Sequence, residues 1–360
     1  MEILALQDYN IYVGEFNEHL KNLLRENDYS RLIVLVDQNT RRHCWPLLEP
    51  VIREREHTLI EIPAGEQHKH LQTCQLIWQH MMEARADRRS LAINLGGGVI
   101  GDMGGFCAAT FKRGMDFIQM PTTLLSQVDA SIGGKLGIDF MQVKNSIGVF
   151  RNPQAVFIDP RFLKTLPVRE LRSGFAEIIK HSLIADREQW EQLRRITDLD
   201  TVDWPALIVP SLRIKQHIVE VDPFERGLRK ALNFGHTIGH AVEGYALETD
   251  TPLLHGEAIA VGMIAEAHLS YQKAGLSESG LSLITDFIRH IYHPEALLVD
   301  TYDELLSLMT NDKKNTGKAI NFSLLPDYGS VVVDQTATEA EIVSSLTYFN
   351  EAVLPLTNRQ

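Results

Sequence analysis

The first part of the chain alternates short apolar runs with segments of helical spacing. Continuous aliphatic and β-branched runs are typical of strands that are buried on both faces of a parallel sheet. Residues 74–84 have the apolar spacing of a helix, which places a helix between two of these strands. The alternation predicts an α/β fold with a doubly wound parallel sheet. The predicted strands are residues 31–37, 59–63, 90–95 and 117–120.

After Pro167 the pattern becomes mainly helical. A chain of 360 residues exceeds the roughly 250–300 that one core usually supports, so two domains are expected. We predict an α/β domain over residues 1–162 and a mainly helical domain over residues 163–360. The predicted helices are residues 172–185, 205–221, 232–246, 257–274, 281–291 and 302–310, and two short strands are predicted at 320–325 and 329–334.

Composition narrows the class of protein. The hydrophobic fraction of 44% is typical of a soluble globular protein. The acidic start lacks the basic segment of a signal peptide, and no apolar run is long enough to span a membrane. Three scattered cysteines predict reduced thiols and a cytoplasmic location. The net charge of −12 argues against nucleic acid as a partner.

Charge is unevenly distributed along the chain. Residues 111–180 hold ten Lys or Arg against six Asp or Glu, which gives +4 in an acidic protein. If these dispersed cations converge in space, they would suit a small and highly charged anion. The alternative is that each one is an ordinary solvated side chain. The cations are Lys112, Arg113, Lys135, Lys144, Arg151, Arg161, Lys164, Arg169, Arg172 and Lys180.

A glycine-rich segment, residues 96–105, follows the third predicted strand and opens a predicted helix. Backbone N–H groups and a helix N-terminus at this position could bind a phosphate. The segment matches neither the dinucleotide fingerprint nor a P-loop, and a tight turn with close helix–sheet packing explains it equally well. Asp37 ends the first strand, where an acid can bind a ribose hydroxyl, and residues 65–69 follow the second strand. These strand ends are where ligands bind in open α/β sheets.

Three histidines and an acid lie within residues 229–257. His236 and His240 are four residues apart and would share one helix face, and neutral imidazole is a common ligand for divalent metals. A solvated histidine pair is the alternative. Gly235 and Gly239 flank the pair, and because glycine costs a helix about 1 kcal/mol relative to alanine, they favour close packing around a site. Spacing alone therefore indicates His236 and His240 as metal ligands.

The predicted helix over residues 172–185 carries a second polar group. Glu177, Lys180 and His181 lie together beside the apolar stripe of this helix. The ordinary explanation is an exposed ion pair between Glu177 and Lys180, which would stabilise the helix by a few tenths of a kcal/mol, roughly 0.2–0.5.

Taken together, the motifs resemble those of the 3-dehydroquinate synthase family, within the sugar phosphate cyclases. The resemblance spans roughly residues 37–314, nearly the whole chain, and rests on the joint occurrence of several motifs in a fixed order. They are residues 97–102, 121–129, 132–135, 144–145, 162–167, 174–180, 227–236 and 255–257.

The resemblance implies a lyase that converts 3-deoxy-D-arabino-heptulosonate 7-phosphate to 3-dehydroquinate and phosphate, the second step of the shikimate pathway. It implies NAD and a divalent metal, zinc or cobalt, as cofactors, with NAD regenerated in every turnover. The N-terminal domain would be a Rossmann-like NAD-binding domain, and the helical domain would carry the metal and substrate residues. A homodimer is expected, in which Arg113 reaches the substrate phosphate of the neighbouring subunit.

The resemblance also implies roles for individual residues. The metal ligands are Glu177, His236 and His255, so that His240 becomes a substrate and proton-transfer residue instead of a ligand. The residues that bind the substrate or orient those that do are Lys135, Asn145, Lys180, Lys215, Arg229, Asn233, His240, one of Lys313 and Lys314, Asp129 and Glu225. The residues implied for NAD are Asp37, Glu66, Lys69, Gly97, Gly98, Val99, Ile100, Gly101, Asp102, Thr122, Thr123, Lys135, Lys144, Phe162, Thr165 and Leu166.

Three alternatives belong to other classes. A metal-dependent polyol dehydrogenase would share the two-domain plan, but it would release NADH and has no need for so many cations. A sister sugar phosphate cyclase is expected to differ at Asn233, at His240 or at the lysine of positions 313 and 314, all of which are retained here. A non-catalytic binding protein would not be expected to keep the whole polar set.

Overall fold

The computed structural model describes residues 1–141, 143–247, 249–310 and 320–354. The strands are β1 (Glu2–Ala5), β2 (Asn10–Val13), β3 (Leu32–Asp37), β4 (His57–Ile62), β5 (Leu91–Gly96), β6 (Asp116–Pro121), β7 (Lys135–Phe140), β8 (Val143–Phe150), β9 (Ala155–Ile158), β10 (Ile320–Leu324) and β11 (Val332–Ala337). The helices are α1 (Asn17–Glu26), α2 (Gln38–His43), α3 (Trp45–Ile52), α4 (Leu71–Glu83), α5 (Gly98–Thr110), α6 (Val168–Ala185), α7 (Arg187–Leu193), α8 (Trp204–Val221), α9 (His236–Ala246), α10 (His255–Lys273), α11 (Glu278–Tyr292), α12 (Tyr302–Thr310) and α13 (Glu339–Val353).

The chain forms two compact units. The first comprises Met1–Pro167 and Asp203–Gln216, and the second comprises Val168–Val202 and His217–Gln360. The first unit is α/β and the second is mainly helical, so the predicted fold class is confirmed. Of the helices in the described residues, none is both long and apolar enough to cross a membrane.

The first unit contains one large sheet with the strand order β1-β2-β9-β6-β5-β3-β4. All neighbouring strands pair in parallel except β1 and β2, which are antiparallel. The four predicted strands are confirmed to within two residues at each end. Their continuous apolar runs agree with the near-complete burial of β3 and β5, which have neighbouring strands on both sides.

The strand order reverses at β3. The chain runs from β3 outward to β4, and then returns so that β5 pairs on the other side of β3. In open α/β sheets, ligands bind at the carboxyl ends of the strands beside such a reversal. Asp37 and Gly96 end β3 and β5, so the predicted nucleotide residues lie at this point of the sheet.

Helix α5 crosses the sheet at very close range. A Cβ at Gly104 would lie 2.3 Å from Asn94 Oδ1, and a Cβ at Gly105 would lie 2.4 Å from Leu136 Cδ2. Any larger side chain would therefore push the helix off the strands. Close helix–sheet packing thus accounts for the later glycines of the glycine-rich segment.

In the second unit, one predicted helix begins later than the sequence indicated. The helix predicted over residues 232–246 starts at His236, because Leu228–Asn233 is a 3₁₀ turn and Gly235 adopts a left-handed φ of 79° at the N-cap. Gly235 therefore carries no helix-interior penalty, and it occupies a conformation that glycine favours. The strand predicted at 329–334 is also shifted, to Val332–Ala337, because Gly329 lies in a turn with a φ of 72°.

Candidate metal and nucleotide sites

Three helices of the second unit each contribute one potential metal ligand. Glu177 lies in α6, His236 is the first residue of α9, and His255 is the first residue of α10. His236 Nε2 is 3.5 Å and His255 Nε2 is 3.7 Å from Glu177 Oε1. Tetrahedral zinc with bonds of roughly 2.0–2.2 Å places neighbouring ligand atoms about 3.3–3.6 Å apart. The observed spacing therefore fits one shared cation.

The opposite ring nitrogens of both histidines have acceptors. Nδ1 of His236 donates to the Phe234 carbonyl oxygen at 3.1 Å, and Nδ1 of His255 donates to Glu243 Oε2 at 3.2 Å. Donation from Nδ1 leaves the lone pair on Nε2, which is the arrangement of metal-bound histidines. Two Nε2 atoms and the buried carboxylate of Glu177 thus face one another, and such a donor set attracts a cation.

The pKa of His255 also indicates a site that favours positive charge. Burial lowers the pKa of His255, but its hydrogen bonds to Glu177 and Glu243 outweigh burial and raise that pKa to about 9. Positive charge is therefore favoured at this position. In the protein without metal the charge is carried by a proton, and a divalent cation would supply it more strongly.

His240 lies close to the same cluster. Its ring centroid is 5.0 Å from that of His236 and 5.8 Å from that of His255. Nitrogen atoms of the three histidines fall within 4.8 Å of one another, so they form a second possible ligand set. We favour the set with Glu177, because its spacing is closer to that of a metal polyhedron and its carboxylate supplies negative charge. In that set, His240 is a polar group beside the potential ligands.

Lys180 and Glu177 are fully buried partners. Lys180 is 1% exposed and Glu177 is 0% exposed, and Lys180 Nζ donates to Glu177 Oε2. His181 Nε2 lies 3.9 Å from the same oxygen. The exposed ion pair that the helical pattern suggested is therefore wrong, because α6 is buried on all faces over residues 173–184.

Glycines bring the three helices together. A Cβ at Gly256 of α10 would lie 1.9 Å from the Ser173 carbonyl oxygen of α6, and a Cβ at Gly262 would lie 1.9 Å from the Gly235 carbonyl oxygen. Gly239 packs against α10 in the same way, with its Cβ position 2.8 Å from Ile259 Cδ1. The prediction of close packing around the histidines is confirmed at Gly239.

Other predicted substrate residues of the second unit have local partners. Arg229 is 4% exposed, and its Nη1 donates to the Pro223 carbonyl oxygen at 2.6 Å. Asn233 Nδ2 donates to Glu225 Oε1 at 2.9 Å. The role of Glu225 in orienting cations stays a prediction. Lys313 and Lys314 lie outside the described residues.

In the first unit, the residues of the glycine-rich segment have two different structural roles. Gly97 is the N-cap of α5, and Gly98 is its first residue. Among the described residues, a Cβ at Gly98 would have only Ala130 Cβ nearby, at 3.6 Å. Gly101, by contrast, is buried, and a Cβ at this position would lie 3.3 Å from Gln119 Oε1. Ile100 belongs to the hydrophobic core. Gly98 is thus open to a ligand at the helix N-terminus, while Gly101 and Ile100 contribute by packing on the sheet.

A buried lysine joins several of the other predicted residues. Lys69 Nζ lies 2.7 Å from Asp102 Oδ2, 2.7 Å from Asn145 Oδ1 and 3.8 Å from Glu66 Oε1. Burial lowers the pKa of Lys69, but the neighbouring carboxylates of Asp102 and Glu66 raise it overall, so the lysine keeps its charge. Asn145 adopts a φ of 50° to make this contact. Three residues predicted for NAD thus form one network with a residue predicted for the substrate.

The strand ends carry polar groups that also shape the backbone. Asp37 Oδ1 accepts a hydrogen bond from the Thr40 backbone N–H at 2.8 Å and caps α2. The Thr122 backbone N–H donates to the Gly96 carbonyl oxygen at 3.0 Å, which holds the ends of β5 and β6 together. Thr123 Oγ1 lies 2.8 Å from Ser126 Oγ.

The remaining residues predicted for NAD or substrate in this unit differ in exposure. The Phe162 ring is buried and stacks on Phe16, with ring centroids 5.9 Å apart. Lys215 Nζ donates to the main-chain oxygen of Asp129 at 2.5 Å and to its carboxylate. Leu166, Lys144 and Val99 are half-buried, whereas Arg113, Lys135 and Thr165 are exposed.

Several of the ten dispersed cations have structural partners. Arg161 pairs with Asp159 at 2.6 Å, Arg169 donates to Glu257 at 2.6 Å, and Lys112 donates to the Ala86 carbonyl oxygen at 2.6 Å. Acids or carbonyl groups close by in the fold therefore bind these three residues.

Two buried acids were missed by the sequence analysis. Glu243 binds His255, and its position seven residues after His236 on α9 was a usable signal, because that spacing returns to the same helix face. Glu266 is 0% exposed and accepts hydrogen bonds from the backbone N–H groups of Gly235 at 2.7 Å and Ile238 at 3.0 Å. It fixes the start of α9 beside His236, and no local pattern reveals it.

Two family models together match most of the chain. The family model described as "3-dehydroquinate synthase N-terminal" matches residues 59–173, and the model described as "3-dehydroquinate synthase C-terminal" matches residues 174–315. A 3-dehydroquinate synthase of Parabacteroides distasonis is 42% identical over 343 residues, which cover 94% of this chain and 96% of that protein.

Two solved structures share the fold. The 2-epi-5-epi-valiolone synthase of Streptomyces hygroscopicus subsp. jinggangensis, solved with NAD⁺ and Zn²⁺, is 27% identical with a TM-score of 0.85, covering 98% of this chain and 99% of that one. A 2-deoxy-scyllo-inosose synthase, solved with carbaglucose-6-phosphate, NAD⁺ and Co²⁺, has a TM-score of 0.85 at 23% identity, covering 96% and 99% of the two chains.

The fold and the matched sequences define the class of protein as a sugar phosphate cyclase. Both halves of the chain match the same family, and a curated relative matches almost its whole length. The chain belongs to the 3-dehydroquinate synthase family.

Proposed function

We propose that this chain is a carbon–oxygen lyase that converts 3-deoxy-D-arabino-heptulosonate 7-phosphate to 3-dehydroquinate and phosphate. The observation that carries the proposal is the cluster of Glu177, His236 and His255 with the buried ammonium group of Lys180 beside it. Such a site suits a substrate that offers hydroxyl groups to a metal and a phosphate to a cation. The curated relative that shares 42% of its residues over 94% of the chain is itself a 3-dehydroquinate synthase.

NAD and a divalent metal are the cofactors of this proposal. When bound, NAD would take up and return a hydride, and the metal would stabilise negative charge on a substrate oxygen. Glu177, His236 and His255 would hold the metal, leaving a coordination position for the substrate. NAD would lie at the strand-order reversal, with Gly98 at the pyrophosphate and Asp37 at a ribose. The valiolone synthase that shares the fold binds both cofactors.

The chain's own residues position the substrate and move protons. Lys180 would bind the substrate phosphate, because its buried charge interacts with an anion at low effective dielectric. Arg229 and Asn233, each held by a local hydrogen bond, would orient the remaining polar groups of the substrate. His240, beside the metal ligands, would transfer a proton at a substrate hydroxyl. The substrate roles of Lys135, Asn145, Lys215 and the late lysines, and the orienting role of Asp129, stay predictions from the family motifs.

A homodimer is part of the proposal. Lys112, Arg113 and Gly114 adopt consecutive positive φ angles of 49°, 70° and 126°, and Arg113 is exposed. Strained turns of this kind commonly present functional groups, and an exposed arginine is available to a neighbouring subunit's phosphate site. Three free, buried cysteines fit the reducing conditions of the cytoplasm.

The direct test supplies the heptulosonate phosphate with NAD⁺ and zinc, and measures phosphate release together with 3-dehydroquinate. We expect both products in equal amounts, without accumulation of NADH. Net formation of NADH from a polyol would indicate a dehydrogenase instead. Release of a different carbocycle from another sugar phosphate, with no turnover of this substrate, would indicate a sister cyclase.

A further inference from the structure

We propose that Glu243 is a positioning residue of the metal site, which holds the ring of His255 in its ligand orientation and strengthens it as a donor. This inference rests on the proposed metal site. Its basis is the contact between His255 Nδ1 and Glu243 Oε2 at 3.2 Å. The side chain of Glu243 is only 11% exposed, so water competes weakly for this contact.

The two histidine ligands are supported differently. Nδ1 of His236 meets a neutral carbonyl oxygen, that of Phe234, whereas Nδ1 of His255 meets a carboxylate. A carboxylate acceptor increases the basicity of an imidazole ligand more than a carbonyl group does, because it stabilises the positive charge that develops on the ring when Nε2 binds a cation. His255 is thereby the stronger nitrogen donor of the pair.

Charge balance supports the same role. The ammonium group of Lys180 already neutralises part of the negative charge of Glu177, because Lys180 Nζ donates a hydrogen bond to Glu177 Oε2. A divalent cation in this buried place therefore needs a second carboxylate close by. Glu243 is the acid that reaches a ligand directly, and it does so without occupying a coordination position.

The contact also ties two helices together at the metal. Glu243 lies in α9, the helix that begins at His236, while His255 begins α10. A hydrogen bond from α10 to α9 thus links the two helices that carry the histidine ligands. Its loss would free the His255 ring to rotate about its side-chain torsions, although the helices remain packed through glycine contacts.

The test uses the full-length chain and three variants. Glu243→Gln keeps the shape and an acceptor oxygen but removes the charge, and Glu243→Leu removes both. The control, Glu304→Gln, removes one carboxylate from an exposed position of α12. Zinc affinity is measured by chelator competition on metal-free protein, together with NAD⁺ affinity and the melting temperature of the metal-free form.

We expect zinc affinity to fall roughly tenfold in Glu243→Gln and closer to a hundredfold in Glu243→Leu, the range found when the acceptor behind a metal-bound histidine is removed. NAD⁺ affinity should stay unchanged in all three variants, and Glu304→Gln should bind zinc like the unsubstituted protein. The glutamine variant decides the question even where the leucine variant does not fold.

Zinc affinity of Glu243→Gln within twofold of the unsubstituted protein would overturn the inference. So would an equal loss of zinc and NAD⁺ affinity, because that pattern means general disruption. These outcomes leave the proposed function standing as long as the unsubstituted chain binds zinc and turns over. If the unsubstituted chain binds no zinc, the metal site itself is refuted.

Discussion

Replacing Lys180 by methionine tests whether the buried cation beside Glu177 is part of the chemistry. Methionine keeps most of the side-chain length and removes the charge. In the metal-free protein, the change leaves the carboxylate of Glu177, which is 0% exposed, without its lysine. Removing one partner of a buried ion pair is destabilising by about 3–5 kcal/mol. His255, whose pKa is raised to about 9, stays protonated near neutral pH and compensates part of this charge, so we expect the lower end of that range.

This loss is large enough to measure by thermal unfolding. A destabilisation of about 3 kcal/mol lowers the melting temperature by roughly 6–12 °C in a domain of this size. Bound zinc returns positive charge to Glu177, so the difference from the unsubstituted protein should shrink in the zinc-loaded form. The matched control is Lys273→Met, which breaks a half-exposed pair with Glu341 of 2.5 Å. Such surface pairs contribute about 0–1 kcal/mol.

Catalysis supplies the second measurement on the same variant. A charge-assisted contact to the substrate phosphate, lost in a buried site, raises the barrier by about 1.5–3 kcal/mol. Lys180→Met should therefore bind zinc and NAD⁺ but turn over roughly ten- to a hundredfold more slowly. Steady-state kinetics with zinc-loaded enzyme makes the comparison. Unchanged kcat and KM, with a melting temperature equal to that of the Lys273→Met control, would refute both the buried-charge and the phosphate-binding arguments.

Three further predictions follow from the two sites. Gly98→Val should weaken NAD⁺ binding in calorimetry without changing zinc content, because the added side chain fills the open space at the start of α5. An unchanged NAD⁺ affinity would mean that the nucleotide binds elsewhere. Chelation should abolish turnover and Zn²⁺ or Co²⁺ should restore it, while His255→Ala should lose both metal and activity; full activity in protein shown to be metal-free by elemental analysis contradicts this. The pKa of His255 rises from 6.5 to about 9 on folding, so its proton stabilises the metal-free protein fully below pH 6.5, and this contribution is lost as the pH rises through 9. Zinc should displace that proton near neutral pH, and calorimetry in buffers of different ionisation enthalpy should detect its release; zinc binding without proton release would contradict the assigned ligand.

Local pattern was enough for several of the longer elements of the fold, but it did not reveal strands β7 and β8 or the 15-residue helix α13. The four predicted strands and the helices α6, α8, α10, α11 and α12 were recognised, because burial on one or both faces imposes a spacing that a short window of sequence reveals. Strands β1, β2 and β9 were missed. Each has four residues, too few for a periodic pattern. β2 and β9 form by pairing with strands distant along the chain, and β1 joins the sheet through β2.

For the site, the sequence showed which residue types are present but not how they meet. Spacing within one helix paired His236 with His240, and it was the family motifs that pointed to Glu177 and His255. The approach of these residues to within 3.7 Å depends on three helices packed at Gly256, Gly239 and Gly262.

Burial was likewise decided by the tertiary structure alone. The helical pattern predicted an exposed ion pair of Glu177 and Lys180, because a charged residue beside an apolar stripe normally faces solvent. In the folded chain, other elements cover both faces of α6, and the same two residues become a buried acid and a buried cation. Periodicity reports the neighbours of a residue along the chain, whereas dielectric environment and ligand geometry depend on neighbours through space, and these arise only when distant segments pack.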